Sequence, residues 1–233
     1  MEKVWKRALQ PSVVEQLQEY LVQSGARPGD RLPTEPEFAA ELGVGRSSVR
    51  EGIQALQAMG IVDVRHGKGT YLSAGSLGGL RNALVFWTRL ALNADDEGDD
   101  STLGQVAEVR VALEMALVHR VVDLHTETSL TELDGLASEM LARAKHDEFA
   151  PEQDREFHRV LYAPLGNWVF DSIITSFWEA MQRAIDSGAL QGDALQIAQV
   201  HADIVAALRA KDHAALDAAM GEHFASMDSW YQH

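Results

Sequence analysis

The hydrophobic rhythm of this chain leaves the helical period near residue 60, and that change limits the fold more than any other feature. In "GVGRSSVREGIQALQAMG", residues 43–60, Val49, Ile53 and Leu56 recur at helical spacing. Directly afterwards, "IVDV" and "TYL" flank "RHGKG", two short extended runs around a glycine-rich tip. The remainder of the chain reads as helix, so a single small hairpin is set into a mainly α fold.

Upstream, "PSVVEQLQEYLVQSG" places Val13, Val14, Leu17, Tyr20 and Leu21 on one helical stripe that stops at Gly25. "RPGDRLP" reads as turn. Thr34 followed three residues later by Glu37 predicts a capping box, opening a short helix with Phe38, Ala39 and Leu42 inward and Gly43 at its end. The next helix is expected to start near Gly45, an acceptable N-cap. Helix, short helix, turn, helix, hairpin is the order of a winged helix-turn-helix. The major groove of B-DNA admits one helix, whose first residues meet base edges and phosphates. Arg46 and Arg50, four apart on an outward face, lie at that end with Ser47 and Ser48 as small hydroxyl partners. The hairpin tip offers Arg65, His66 and Lys68, and Gly67 and Gly69 allow close backbone approach. Solvated arginines and an ordinary hairpin would explain any one of these features; the ordered set points to double-stranded DNA.

Charge separates the chain into two parts. Residues 1–75 hold nine Lys/Arg and nine Asp/Glu, whereas residues 76–233 hold eleven against twenty-six, so the whole net charge of −15 lies in the second part. Two domains with different partners are expected, 1–75 and 76–233. The chain has no cysteine, which excludes disulfides and thiolate metal sites. The N-terminal stretch lacks the apolar core of a signal peptide. "LRNALVFWTRLAL" carries two arginines and is too short to span a bilayer. A cytoplasmic protein without membrane contact is expected.

From Leu77 onward, helical stripes recur at 79–93, 102–125, 130–146, 152–163, 168–188, 193–210 and 213–231, an all-α bundle of about seven helices. On the second of them Val106, Val109, Leu113, Ala116 and Leu117 form the expected inward stripe, and Ser129/Glu132 the cap of the third. "NADDEGDDS" reads as a charged connection. Four polar residues fall on inward faces: Asp154 and His158 beside Leu161, His201 beside Ile204, Val205 and Leu208, and His223 beside Leu216 and Met220. Burying three imidazoles and a carboxylate is costly unless something satisfies them. A divalent metal would do so, zinc first, with nickel, manganese or iron compatible. Ordinary hydrogen-bonded core histidines and a local Asp–His pair are the alternative.

The string "RLPTEPEFAAELGVGRSSVREGIQALQAMGIVDVRHGKGTYL" resembles the DNA-binding domain of GntR-type bacterial transcription regulators, over about residues 10–73. The resemblance implies operator contacts from Arg46, Ser48 and Arg50, and minor-groove entry by His66 and Gly67. Two positions depart: Pro36 stands where many FadR-type members carry a DNA-contacting arginine, and Gly45 where serine is frequent. The second part resembles the FCD ligand-binding domain of the FadR subfamily, over about 80–230. There D-x-x-x-H, a His in "VHADIVAAL" and a His in "MGEHF" match metal-binding members, which implies Asp154, His158, His201 and His223 as ligands. Arg110 in "EVRVALE" matches an arginine that holds an effector carboxylate. Asn167 matches a polar pocket position, with Trp168 where proline is commoner.

The expected mechanism is that of a homodimeric regulator, a repressor in the first instance, released from DNA by a small carboxylate metabolite at a metal site. The alternative is a metal-responsive regulator with no organic effector. An iron oxygenase also uses histidines and a carboxylate, but no positioned base beyond the ligands can be singled out, so an enzyme is not expected.

Overall fold

A computed structural model of the chain describes residues 11–93, 102–186 and 193–228. It divides into two compact units, Met1–Gly79 and Leu80–His233.

In the first unit, α1 (Val13–Gln23) begins behind a Ser12/Glu15 capping box, and α2 (Glu35–Leu42) behind Thr34. The Glu37 carboxylate accepts from the Thr34 backbone N–H and hydroxyl, both at 2.7 Å, so the Thr34/Glu37 box forms. Gly43 closes α2 in the left-handed conformation, and α3 (Arg46–Ala58) starts from Gly45. Strands β1 (Val62–Arg65) and β2 (Gly69–Leu72) pair antiparallel, Val62 opposite Leu72 and Arg65 opposite Gly69. "RPGDRLP" does more than turn. Leu32 N–H donates to the Thr70 carbonyl at 2.8 Å and Leu72 N–H to that of Asp30 at 2.9 Å, so this segment lines the outer edge of β2. Leu17, Leu21, Leu32, Phe38, Val49, Ile53, Leu56 and Val62 form the core, an apolar interior with no charged side chain among the described residues inside it.

Gly60 makes the change from helix to strand possible. Its φ is +77°, and a Cβ there would lie 1.9 Å from the Ser76 hydroxyl and 3.0 Å from the Ser76 carbonyl. Only glycine fits both the conformation and the space.

The second unit contains α4 (Gly78–Asn93), which starts at the boundary, α5 (Thr102–Val118), α6 (Glu127–Ala144), α7 (Pro151–Tyr162), a 3₁₀ turn (Ala163–Leu165), α8 (Trp168–Asp186), α9 (Ala194–Ala210) and α10 (His213–Asp228). Seven α-helices are thus present among the described residues of this unit. Helix α9 packs between α6 and α10, α7 meets α6 and α8, and α5 lies against α8 and α10.

Two boundaries differ from the sequence expectation. Helix α5 ends at Val118, not near 125, because 119–124 fold into tight turns while Val121 and Val122 stay buried and prolong the apolar pattern. Helix α6 starts at Glu127, since Thr126 and Ser129, not Ser129 and Glu132, form its capping box. The inward face of α5 also differs: Val109 is 48% exposed, and Leu103, Val106, Ala107, Arg110, Glu114 and Val118 are the buried positions. The charged segment 94–101 lies outside the described residues, as does the end of the stripe expected at 168–188. No helix among the described residues is long and apolar enough to cross a membrane.

Candidate metal centre and nucleic-acid interface

The candidate nucleic-acid face comprises the N-terminus of α3 and the tip of the hairpin. Arg46, Ser47 and Arg50 are exposed and Ser48 half-buried, while Val49, Ile53 and Leu56 on the other side of the helix anchor it in the core. Arg50 does not extend unrestrained. Its Nε and Nη2 donate to the two Glu35 carboxylate oxygens at 2.8 to 3.1 Å, a fork that joins α3 to the start of α2. Hydrogen bonding to Arg50 lowers the Glu35 pKa, and Glu35 raises that of Arg50. Pro36 follows Glu35 in the first turn of α2, so no arginine stands there to join the cationic set. At the tip, His66, Gly67 and Lys68 are exposed, and Gly67 takes a φ of +69°. The turn is closed by Lys68 N–H to the Arg65 carbonyl at 2.9 Å. The Arg65 guanidinium sits 4.2 Å above the Tyr71 ring, and the Tyr71 hydroxyl donates to the Lys68 carbonyl.

The second site is buried in the helical unit. Pro151 opens α7 at a position where its missing N–H costs nothing. Asp154 follows in the first turn and His158 one turn later, on the face that meets the core. Helix α9 contributes His201 and α10 contributes His223. These four residues, on three helices, are at most 2% exposed. Nitrogens of His158, His201 and His223 all lie within 4.8 Å of one another. His158 Nε2 is 3.1 Å from His223 Nε2 and 3.6 Å from Asp154 Oδ1, and Asp154 Oδ1 is 2.7 Å from His201 Nε2.

Tautomers are set from behind. His201 Nδ1 donates to the Ile197 carbonyl at 2.7 Å, and His158 Nδ1 to Glu114 Oε2 at 2.6 Å. Both Nε2 atoms therefore present lone pairs to the cluster. Burial, then the neighbouring His201 and His158, push His223 well below its ordinary pKa and favour its neutral form. Asp154 is lowered: burial works against ionisation, but His201 and His158 outweigh it. Asp154 Oδ1 and His201 Nε2 approach to 2.7 Å, and that contact is one of the causes that lower Asp154. Two donors about 2.1 Å from one ion, at angles of about 90–110°, are themselves ~3.0–3.5 Å apart. The spacings here bracket that range. Imidazole nitrogens and a carboxylate oxygen gathered in one buried place are the donor set that a divalent cation satisfies, so these residues fit one.

Glu114, which sequence reasoning missed, ties this cluster to Arg110. Both are completely buried, and Arg110 Nε donates to Glu114 Oε1 at 2.7 Å while Glu114 Oε2 receives His158. Burial would raise the Glu114 pKa; His158 and Arg110 override it and hold it at about 2. The Arg110 guanidinium also stacks 4.4 Å from the Trp178 ring. Arg110 is thus engaged with the carboxylate that also holds His158. Asn167 is not brought to the cluster. It is exposed, and its Oδ1 accepts from Phe170 N–H at 3.2 Å at the start of α8. A cavity of about 180 Å³ opens beside His158, walled among others by Arg155, Arg159, Tyr162, Thr175 and Trp178, but by neither Arg110 nor Asn167.

A surface-anchored reading helix with a wing is the build of a winged helix-turn-helix DNA-binding module, here followed by an all-α unit. Residues 9–72 match bacterial regulatory proteins of the gntR family, and residues 105–226 match the FCD domain. The chain is 26% identical over 231 residues to the HTH-type transcriptional repressor NanR of Escherichia coli, covering 97% of this chain and 86% of that one. It is 31% identical over 135 residues to the HTH-type transcriptional regulator LutR of Bacillus subtilis; that match spans 58% of each chain, under two thirds of the relative. A GntR protein of Streptococcus agalactiae shares the fold with a TM-score of 0.57 at 25% identity, covering 93% of this chain and 98% of that one. This chain belongs to the GntR family of bacterial regulatory proteins, with an FCD domain as its second part. It is a DNA-binding transcription regulator, and its family and relatives are regulators, not enzymes. Some FCD domains bind metal, and this one carries a histidine cluster.

Proposed function

We propose that the chain is a cytoplasmic, homodimeric repressor that leaves its operator when a small organic acid binds beside a divalent metal in the helical unit. The observation that carries this reading is the convergence of Asp154 Oδ1 with nitrogens of His158, His201 and His223 in a buried site. Zinc suits an imidazole-rich set best, and nickel, manganese and iron remain compatible. When bound, the metal supplies positive charge that attracts a carboxylate.

The chain's own residues do the rest. Glu114 and the Ile197 carbonyl hold His158 and His201 in the tautomer a metal ligand needs. The cavity beside His158 receives the acid, with Arg155 on its wall as a cation, Arg159 paired there with Glu156, and the buried Trp178 indole N–H, which has no acceptor, as a donor. Arg110 serves the effector through Glu114 and Trp178, and Asn167 by fixing the start of α8. On DNA, Arg46, Ser47, Ser48 and Arg50 read the major groove while His66, Gly67 and Lys68 approach from the wing. One reading helix covers one half-site, so two copies are required for half-sites about one helical turn apart. Helix α4 leaves Phe86, Trp87 and Leu90 exposed, an apolar strip that a second copy would cover. Effector binding favours a dimer geometry in which the two reading helices no longer match their half-sites.

Gel-shift titration on the DNA beside the chain's own gene, with and without candidate organic acids, tests the reading. A retarded band that dissolves with one acid, and no longer does so after chelation, is the expected result. Absence of a specific band at low salt defeats the regulator reading, and a band indifferent to every acid but dissolved by zinc or nickel alone establishes the metal-responsive alternative.

A further inference from the structure

A second histidine pair lies at the surface, outside the buried cluster. His119 directly follows α5, and His213 is the first residue of α10. Their Nδ1 atoms face each other at 2.9 Å, with the rings 5.1 Å apart and tilted by 33°. Asp217, one turn along α10 from His213, receives His119 Nε2 at 2.8 Å. That contact places the His119 proton on Nε2 and leaves Nδ1 as a lone pair aimed at His213. A carboxylate behind an imidazole is the arrangement that orients a metal-binding histidine and makes it a better donor. Access is open: His119 is 40% and Asp217 53% exposed. The local field is negative, because Asp123 lies within electrostatic reach of His213, partly offset by its 2.9 Å contact with Lys211. Along α10, His213 and His223 are ten residues and so roughly 15 Å apart, which makes the two sites separate.

We propose that His119 and His213 form a second divalent-cation site, through their Nδ1 atoms, with Asp217 as the residue that positions His119. The ion class is an imidazole-preferring first-row cation such as nickel, copper or zinc. In the apo pair, one proton bridges the two Nδ1 atoms. On binding, that proton moves from His213 Nδ1 to His213 Nε2, which faces solvent, so both imidazoles stay neutral and both Nδ1 lone pairs go to the ion. The remaining coordination positions are filled by water. Occupancy ties the end of α5 to the start of α10, the helices that also carry Glu114 and His223.

The test is the number of nickel ions bound per full-length chain, by equilibrium dialysis with elemental analysis. The His119→Gln/His213→Gln variant is expected to bind one ion fewer than the unaltered protein, and Asp217→Asn to bind that same ion about ten-fold more weakly. A His201→Ala/His223→Ala variant is expected to keep the surface ion, which separates this proposal from the buried site. Equal stoichiometry in the unaltered protein and the His119/His213 variant overturns it, as does loss of thermal stability in that variant with no change in ion count. In the unaltered protein, nickel at low occupancy should broaden the His119 and His213 ring-proton NMR signals; unbroadened signals at saturating nickel also overturn it.

Discussion

The two units of this chain handle charge in opposite ways. In the first, the core is wholly apolar and Arg46, Arg50, His66 and Lys68 stand on the surface, where they cost the fold little. In the second, Arg110, Glu114, Asp154, His158, His201 and His223 are inside, and the fold must satisfy each of them. The same kinds of residue are therefore replaceable in one unit and structural in the other. Function that meets a partner as large as DNA can sit on a surface. Function that captures a small ion gains from a dry interior, where charges are weakly screened.

The most damaging expected change is Glu114→Gln, which leaves the buried Arg110 without its counter-charge. It should destabilise the helical unit by about 3–5 kcal/mol and leave the winged unit intact, as read by hydrogen exchange under native conditions. Equal loss in both units would erase the contrast. Metal removal comes next. At free metal of about 100 to 1,000 times Kd, the ion contributes roughly 2.7–4.1 kcal/mol to the unit that binds it. Chelation should thus lower the melting temperature of the helical unit only, and an unchanged scan would speak against a bound ion.

Arg50→Ala should weaken operator binding by about 1–3 kcal/mol, with folding stability changed by less than about 0.5 kcal/mol. Gly60→Ala should do the reverse, destabilising the winged unit by about 1–2 kcal/mol from the left-handed backbone alone, with the Ser76 clash in addition. Urea melts of the two variants beside operator titrations separate the effects. The smallest change is expected from Glu35→Gln, which frees Arg50 and should tighten binding to unrelated DNA by less than ~1 kcal/mol. Weaker binding in that variant would mean that Glu35 presents Arg50 in its reading pose.

Much of this was legible in the sequence. The winged unit announced itself because each of its signals is local: a capping box at Thr34, a left-handed glycine at Gly43, and a change of period at Gly60. The inward histidines were equally local, each lying on an apolar stripe. What stayed hidden depends on the third dimension. Helix α5 is apolar on nearly every side, so periodicity could not choose its buried face, and Val109 was placed inward where the structure has Arg110. Glu114 escaped because an arginine four residues before a glutamate usually marks a solvated helix surface. Asn167 could not be separated from a cap residue by sequence. His125 gives the opposite lesson, since it is hydrogen-bonded to Ser129 and the Leu161 carbonyl and belongs to no cluster. One-dimensional reading cannot tell such a histidine from His158.

The fork between Arg50 and Glu35 bears on how Arg50 can meet DNA. A guanidinium already gripped by a carboxylate reaches a phosphate, whose two free oxygens accept the same fork, only by giving up that grip. Guanine, with two acceptors side by side on its major-groove edge, can replace both contacts together. If Arg50 reads the groove, Glu35 is therefore the acceptor that any DNA group must displace first.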